Sequence, residues 1–320
     1  MSSISSNLTP VSLRQTPGRW LRSFWKFCRP HTIVGTSFSV WSLALIAALQ
    51  NPVNSTWISL LPSVLLAWTA CLGGNIYIVG LNQLLDIEID RINKPQLPLA
   101  AGEFSVKQGV WLVMLTGLSG LVLGLVGGKW LLLTVAISLL LGSAYSLPPF
   151  RLKRYPLLAA LCILTVRGVV VNLGLSLFFT RQFNAQEYLS PAVLILAIFV
   201  LFFSIGIALF KDVPDTEGDQ RYQIATFSLL LGKRTVLKIT LAILASCYLG
   251  MVVAGIWRLP GMNPLLLIGV HSILLCGLCW RARGLDLQDK SAIASFYQFI
   301  WRLFFLEYLL FPFMCGSFPY

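Results

Sequence analysis

The stretch GLNQLLDIEIDRINKP, residues 80–95, ends a long apolar run and places three carboxylates, Asp86, Glu88 and Asp90, within five positions. The chain has 320 residues and only 12 Asp and Glu, and it is 57% hydrophobic and 11% charged. Ordinary soluble domains carry about a quarter charged residues, so this composition excludes them. A chain that avoids acidic residues nearly everywhere concentrates them here, which indicates a specific role for the stretch.

Apolar runs of about 20 residues recur along the sequence, and a helix needs that length to cross a bilayer. The short alternating segments typical of a β-barrel do not occur, so we expect an all-α integral membrane protein. The nine predicted transmembrane helices lie near residues 31–50, 60–85, 107–126, 130–148, 156–179, 189–210, 236–257, 263–281 and 293–315. The predicted organisation is a basic segment over residues 1–30, followed by a single nine-helix domain over residues 31–320.

The loops between the predicted spans differ sharply in charge. Most of the 24 Lys and Arg lie in the N-terminal segment and in the loops after the second, fourth, sixth and eighth spans. The positive-inside rule places that side in the cytoplasm or in the equivalent compartment of an organelle. The net charge of +12 therefore reflects topology and attraction to anionic membrane lipid, with no need for a nucleic-acid partner. No protein partner is inferable from the sequence.

The N-terminal segment is polar and basic and lacks the apolar core of a signal peptide. Its stretch RWLRSFWKFCR, residues 19–29, carries cations at helical spacing with Trp20, Phe24 and Phe27 between them. This pattern predicts an interfacial helix that lies on the basic side of the membrane.

The first acidic stretch has a helical spacing. Asn82, Asp86 and Asp90 are spaced i, i+4 and i+8, so they lie along one face of a continuous helix. Glu88 points elsewhere and is predicted to be solvated. A helix end that merely enters water does not call for carboxylates on one face, so we predict a ligand site.

A second acidic stretch, LFKDVPDTEGDQR at residues 209–221, ends the sixth predicted span. It supplies Asp212, Asp215, Glu217 and Asp219 and repeats the D-x-E-x-D pattern of the first stretch. Both stretches follow even-numbered spans, so the charge rule places them on the same side of the membrane. We therefore predict that they are two halves of one site.

Oxygen ligands of this kind suit a hard divalent cation. Mg²⁺ is usually held by a few carboxylates together with the phosphate oxygens of a substrate. Lys and Arg on the same side fit such an anion, so the pattern indicates a diphosphate bridged by Mg²⁺ and clamped by basic residues. For any single basic residue, the alternative is simple topological charge. The candidate diphosphate-binding residues are Arg91, Lys94, Tyr145, Arg151, Lys153, Arg154, Lys211 and Arg221.

A diphosphate site at the mouth of an apolar helix bundle favours a substrate with a lipid tail. Neutralising the charge of the diphosphate helps it to leave, and an allylic tail then becomes a carbocation-like species. A dry pocket with aromatic faces would protect that cation until an electron-rich acceptor captures it.

On the two acidic motifs, the chain resembles the UbiA superfamily of intramembrane prenyltransferases. That superfamily has an N-x-x-x-D-x-x-x-D motif and a D-x-x-x-D motif, and nine transmembrane helices surround a lipid-accessible cavity. The resemblance implies Mg²⁺ as the cofactor and catalytic carboxylates at Asp86, Asp90, Asp215 and Asp219. The implied metal ligands are Asn82, Asp86, Asp90, Asp212, Asp215 and Asp219.

Within the superfamily, longer stretches resemble the plant and cyanobacterial homogentisate phytyltransferases of tocopherol synthesis. These stretches are FCRPHTIVGTSFSVWS (27–42), GNIYIVGLNQLLDIEIDRINKPQLPLAAGEFS (74–105), AYSLPPFRLKRYPLLAALCILTVRGVVVNLG (144–174), IALFKDVPDTEGD (207–219) and SFYQFIWRLFFLEYLL (295–310). The resemblance implies transfer of a phytyl or related prenyl group from its diphosphate to homogentisate, with loss of CO₂ and diphosphate. It also implies a thylakoid or plasma membrane of a cyanobacterium, or a plastid membrane.

Homogentisate carries a carboxylate, so a cationic subsite for the acceptor is expected. The candidates are Arg29, His31 and Arg167. Arg29 could instead be an interfacial anchor and His31 a helix-start residue. Arg167 lies within a predicted span, where a charged residue usually faces a cavity or a partner.

Two alternatives remain open at the level of sequence. The same chemistry could use a longer prenyl donor, or a chlorophyllide or a hydroxybenzoate as acceptor. A transporter is the alternative of a different class, because intramembrane carboxylates often mark ion pathways. Transport sites tend to lie near the membrane midplane, whereas these carboxylates cluster at one face, which favours the enzyme.

Overall fold

The computed structural model describes residues 10–50, 57–184, 187–211, 213–214 and 227–315, and these are almost entirely helical. A π-helical turn, Thr165–Val170, joins two of the helices, and 3-10 turns cover Leu152–Arg154 and Phe311–Met314. The α-helices are α1 Pro17–Phe27, α2 Pro30–Gln50, α3 Trp57–Leu85, α4 Ile87–Asn93, α5 Val106–Gly127, α6 Lys129–Ser146, α7 Pro156–Leu164, α8 Val171–Asn184, α9 Pro191–Phe210, α10 Phe227–Leu231, α11 Lys233–Ile256, α12 Pro264–Arg283 and α13 Lys290–Leu310.

Eight helical segments in the described ranges are long and apolar enough to cross a membrane. They are Pro30–Gln50, Ser59–Leu85, Val106–Gly127, Lys129–Ser146, Leu157–Phe183, Pro191–Phe210, Lys233–Ile256 and Pro264–Arg283. The ninth predicted span falls on α13, which is 21 residues long but is not among these eight. The all-α, multi-pass membrane architecture is thus confirmed, while the count of nine spans stays a prediction.

Local sequence signals explain where several helices begin. At α5, Ser105 Oγ accepts a hydrogen bond from the Gln108 amide, and Gln108 Oε1 accepts one from the Ser105 amide, which forms a capping box. At α12, Asn263 Oδ1 accepts from the Leu266 amide, and a proline occupies the first helical position. These caps satisfy amides that have no partner within the helix itself.

The described chain groups into two compact units. The first comprises residues up to 37 and residues 66–152. Its helices pack through small residues: a Cβ atom added at Gly73 of α3 would lie 2.8 Å from the carbonyl oxygen of Thr116 of α5. Small residues of this kind allow membrane helices to approach closely. The predicted single nine-helix domain after residue 30 stays a prediction.

The second unit comprises residues 38–65 and residues from 153 onward. Its interior is aromatic. The Phe203 ring lies 6.0 Å from that of Tyr248 and 5.9 Å from that of Phe304, measured between centroids. These contacts join α9, α11 and α13, and they fix the face of α13 that bears the polar network described below.

The predicted amphipathic helix exists as α1, but its aromatic residues do not form a free apolar face. Trp20 stacks on Phe24 at 5.2 Å, and the Trp20 and Phe27 rings lie 5.7 Å and 6.0 Å from Phe104. Lys26 Nζ also donates to Glu103 Oε1 at 2.8 Å. The helix therefore packs its aromatic residues against the protein; its position at a membrane surface stays a prediction.

Candidate active site

The first acidic motif lies where α3 ends, and one of its carboxylates interrupts the helix. Helix α3 ends at Leu85 and α4 begins at Ile87, so Asp86 lies between them with φ −119° and ψ 19°. The prediction of one continuous helix through Asn82, Asp86 and Asp90 is therefore wrong. The short polar side chain of Asp competes with helical backbone geometry, which explains a break at this residue.

Asp86 is held by a basic residue from a later loop. Its Oδ1 accepts a hydrogen bond from Nη2 of Arg151 at 3.2 Å, and the two side chains are 12% and 24% exposed. Arg151 has φ +38°, a left-handed conformation that is costly for a residue with a side chain. The loops after α3 and α6 thus meet at this pair, as their common charge predicted.

Burial separates the other acidic residues of the first stretch. Asp90 is 5% exposed, and its backbone carbonyl accepts from the Lys94 amide at 2.8 Å. Glu88 is 82% exposed and pairs with Arg91, whose side chain is 55% exposed, at 2.7 Å. Asp86 and Asp90 therefore share the shielded side, while Glu88 lies at the surface as predicted. Arg91 is engaged at the surface and is a weaker diphosphate candidate than Arg151.

The remaining diphosphate candidates are distributed over both units. Tyr145 is half-buried in the last turn of α6, in the same unit as Asp86. Lys153 and Arg154 form the 3-10 turn of the other unit, where Lys211 directly follows α9. Asp212, Asp215, Asp219 and Arg221 of the second motif lie outside the described residues, as does Glu217. The prediction that the two motifs form one site therefore stays a prediction.

Two acceptor candidates lie where α1 meets α2. Gln83 Nε2 donates to the Phe27 carbonyl at 2.8 Å, and Asn75 Nδ2 donates to Thr32 Oγ1 at 2.9 Å, so α3 fixes this junction from both sides. Arg29 has φ +51° here, and its buried Nη2 has no hydrogen-bond partner in the described part of the chain. The side chain of His31 is exposed, which gives it less opportunity to bind an acceptor.

The third acceptor candidate, Arg167, lies in the π-helical turn between α7 and α8. This segment was predicted as a regular helix, and that prediction is wrong at residues 165–170. The guanidinium carbon of Arg167 lies 4.9 Å from the ring centroid of Trp301 and 5.5 Å from that of Phe304. These distances are typical of cation–π contacts.

The sequence did not reveal two buried polar pairs of the second unit. Tyr308 donates to Asn172 Oδ1 at 2.9 Å, and His271 Nε2 lies 3.2 Å from Glu307 Oε1. All four residues are at most 2% exposed. Polar residues within apolar spans were the available signal, but each pair joins helices far apart in sequence.

The donor set of the first motif fits Mg²⁺. Carboxylate and amide oxygens from Asn82, Asp86 and Asp90 are hard ligands of the type that this ion prefers. In the part of the chain that the structure describes, no group of three His, Cys, Asp or Glu side chains converges. The first motif alone would therefore be an incomplete cage, which suits an ion shared with phosphate oxygens.

Comparison with known proteins identifies the family. The model of the UbiA prenyltransferase family matches residues 38–303. The chain is 54% identical over 294 residues to homogentisate phytyltransferase of Synechocystis sp., covering 91% of this chain and 95% of that protein. It is 40% identical over 306 residues to homogentisate geranylgeranyltransferase of Triticum aestivum, covering 94% of this chain and 74% of that protein.

A solved structure agrees with the architecture. It is that of a UbiA homolog from Archaeoglobus fulgidus bound to GPP and Mg²⁺, and it covers 90% of this chain and 99% of its own, with a TM-score of 0.61 and 16% identity. At that identity the likeness concerns the fold alone. The family match over most of the chain and the high identity to a full-length relative carry the assignment, and the chain belongs to the UbiA prenyltransferase family.

Proposed function

We propose that this protein transfers a phytyl group from phytyl diphosphate to homogentisate, with loss of CO₂ and diphosphate, in tocopherol synthesis. The observation that carries the proposal is the 54% identity to the Synechocystis homogentisate phytyltransferase over nearly the full length of both chains. In this reaction the bond between the prenyl carbon and the diphosphate oxygen breaks, and the diphosphate takes the electron pair. A ring carbon of the acceptor exchanges its proton for the prenyl group, and the acetate side chain loses CO₂ and gains a proton to become a methyl group.

The diphosphate end of the donor is assigned to the first acidic motif and the basic residues beside it. Asn82, Asp86 and Asp90 would hold Mg²⁺, with the second motif as further ligands. Bound there, Mg²⁺ would neutralise negative charge on the departing diphosphate. Arg151 is the best-placed basic residue, because it already contacts Asp86 and has a planar fork that suits phosphate oxygens.

Catalysis therefore rests on electrostatic preparation of the leaving group. Carboxylates and a guanidinium that are largely shielded from water keep their charges close, and charges interact more strongly at low exposure. Because Arg151 and Asp86 hold each other in the absence of substrate, both side chains need little rearrangement when the donor binds.

The acceptor carboxylate is assigned to Arg167. This guanidinium lies within a membrane-spanning segment and rests on two aromatic rings, and charged residues in such positions usually serve a functional site. Arg29 is the second candidate, because it has a buried guanidinium nitrogen without a partner in the described residues. The exposed His31 has the least structural support.

The main alternative retains the chemistry and changes a substrate. The wheat relative is named for geranylgeranyl transfer to homogentisate, so the degree of saturation of the donor tail is open between relatives. A chlorophyllide or hydroxybenzoate acceptor is the other variant. A transporter is not proposed, because the chain belongs to a prenyltransferase family.

A membrane assay tests the proposal directly. Membranes that contain the protein receive homogentisate with phytyl diphosphate or geranylgeranyl diphosphate, in the presence of Mg²⁺ or of EDTA. We expect a prenylated methylbenzoquinol with Mg²⁺, a higher kcat/KM for the phytyl donor, and no product with EDTA. Turnover of chlorophyllide or hydroxybenzoate without turnover of homogentisate would overturn the acceptor assignment. The thylakoid, plasma or plastid membrane and a site on its cytoplasmic or stromal side are part of the same proposal.

A further inference from the structure

The guanidinium of Arg167 has no anionic partner in the described part of the protein. Its contacts there are the faces of Trp301 and Phe304. A cation on aromatic faces is stabilised without using its N–H donors, so those donors remain available to a ligand. A planar guanidinium binds a carboxylate through two parallel hydrogen bonds, provided that its orientation is fixed.

The backbone that carries Arg167 is irregular and is stabilised by one side chain. In the π-helical turn 165–170, Asn172 Nδ2 donates to the carbonyl oxygens of Arg167 at 2.8 Å and of Gly168 at 3.1 Å. Asn172 is 0% exposed. A π-helical turn replaces the usual i to i+4 pairing with i to i+5 pairing, and a side-chain donor at this point satisfies carbonyls that the change disturbs.

The far side of the Asn172 amide is also occupied. Tyr308 donates its hydroxyl proton to Asn172 Oδ1 at 2.9 Å, and Ser39 supplies a further side-chain hydrogen bond to Tyr308. Tyr308 is 1% exposed. The amide thus has carbonyls on its nitrogen side and a hydroxyl donor on its oxygen side, which fixes its orientation.

One face of α13 supplies both the rings and the hydroxyl. Trp301, Phe304 and Tyr308 are spaced i, i+3 and i+7, so they share a face of the helix, and the Phe304 and Tyr308 rings are 5.4 Å apart. Movement of this face relative to the π-helical turn would therefore change the rings under Arg167 and the hydrogen bond to Asn172 together.

From this arrangement we propose that Asn172 and Tyr308 are positioning residues for the acceptor. They hold the π-helical turn in register with α13 and so orient the Arg167 guanidinium for the acceptor's carboxylate. The inference rests on the proposed function, because it takes a carboxylated aromatic acceptor as the ligand of Arg167. It adds two residues that do not touch substrate but determine how well Arg167 binds it.

A double-mutant cycle tests the inference. The variants are Arg167→Met, Tyr308→Phe and the combination, with Tyr248→Phe as the matched control. Tyr248 is 0% exposed in the same unit, and its hydroxyl has no hydrogen-bond partner in the described residues, so this control removes an equally buried oxygen from outside the network. Initial rates are measured with homogentisate varied at saturating phytyl diphosphate, and then with the two substrates exchanged. Helical content and monodispersity in detergent show that each variant is folded.

We expect Arg167→Met to raise the KM for homogentisate about ten- to a hundredfold, as loss of a charge-assisted contact implies. Tyr308→Phe should raise it about three- to tenfold, in keeping with one neutral hydrogen bond. In the Arg167→Met background, Tyr308→Phe should add less than about twofold, because its effect passes through Arg167. The KM for the donor should change less than about twofold in each variant, and Tyr248→Phe should leave both KM values unchanged. Asn172→Leu should reproduce the Tyr308→Phe pattern.

Three outcomes contradict the inference. They are equal and additive effects of Tyr308→Phe in both backgrounds, no effect of Tyr308→Phe on the homogentisate KM, or no effect of Arg167→Met on it. In each case homogentisate would still be turned over, so the proposed function would stand. If the unmodified protein transfers the prenyl group to hydroxybenzoate and not to homogentisate, the proposed acceptor is wrong, and the same cycle with hydroxybenzoate decides the inference.

Discussion

Nη2 of Arg151 lies 3.2 Å from Oδ1 of Asp86 across 65 residues of sequence, and this pair joins the loop after α6 to the break between α3 and α4. Each partner is mostly shielded from water, so each stabilises the charge of the other. When a cation and a diphosphate bind, the same two side chains have natural new partners: the carboxylate binds the cation, and the guanidinium binds the phosphate oxygens.

The Asp86→Asn variant should lose most activity while keeping the shape of the side chain. We expect kcat/KM for prenyl transfer to fall about a hundredfold or more, since one preorganised charged group is lost. The Mg²⁺ concentration for half-maximal rate should rise as well. Initial rates in membranes over a Mg²⁺ series measure both quantities. Glu88→Gln is the control, because Glu88 is 82% exposed, and it should stay within about twofold of the unmodified protein. An unchanged Mg²⁺ dependence in Asp86→Asn would contradict the metal assignment.

The structure also ranks two basic diphosphate candidates. Arg151→Met should raise the KM for phytyl diphosphate about tenfold, because loss of a charge-assisted hydrogen bond is worth about 1.5–3 kcal/mol. Arg91→Met should change it by less than about threefold, since Arg91 is 55% exposed and paired with Glu88 at the surface. Steady-state kinetics with the donor varied separate the two variants. A larger effect from Arg91→Met would reverse the ranking.

The Glu103 pair predicts a pH-dependent stability. Burial raises the pKa of Glu103, but hydrogen bonds from Lys26 and Ser23 and attraction to Lys26 outweigh it, so the net pKa lies below its ordinary 4.5. Such a carboxylate stabilises the fold above the unfolded pKa, and the contribution is lost as pH falls through the folded pKa. Glu103→Gln should therefore lower the thermal midpoint at pH 7 and converge with the unmodified protein below about pH 4.5.

The cost of Glu103→Gln at pH 7 should be at most about 1 kcal/mol, because Lys26 is 39% exposed and solvent screens the pair. Thermal unfolding in detergent between pH 3 and pH 7 measures the difference. A gap that grows as the pH falls would show that the carboxylate does not stabilise the folded state as described.

The buried pair of His271 and Glu307 should act on stability. Their side chains are 0% and 1% exposed, and His271 Nδ1 also lies 2.7 Å from the Leu267 carbonyl oxygen. His271→Leu leaves a carboxyl group buried without its partner, so we expect a loss of about 3–5 kcal/mol. The double variant His271→Leu/Glu307→Leu should recover part of that loss, because no polar group is left unpaired. Thermal unfolding of the single and double variants in detergent tests this, and an additive loss would contradict it.

Span positions were predictable because length and hydropathy suffice to define a membrane helix. The acidic motifs were visible for a related reason: carboxylates stand out in a chain with 12 acidic residues. The break at Asp86 was not predictable, because i, i+4 spacing is compatible with a helix whether or not the backbone leaves it for one residue. The tertiary contact with Arg151 decides the outcome, and periodicity does not report such contacts.

The polar network of the second unit was hidden for a different reason. Residues 165–170, TVRGVV, contain nothing that distinguishes a π-helical turn from an α-helical one. The hydrogen bond between Tyr308 and Asn172 spans 136 residues, so no local pattern reports it. Arg167 was noticed only because a cation within a span is unusual.

The π-helical turn gives the chain length between Arg167 and Asn172 a role of its own. A π-helical turn contains one residue more than the α-helical turn it replaces. Removing one residue from 165–170 would restore a regular helix but rotate all that follows by about 100° around the axis. Asn172 would then face away from Tyr308, with every side chain of the network still encoded. Counting residues in this segment is therefore as informative about a relative's acceptor site as comparing their identities.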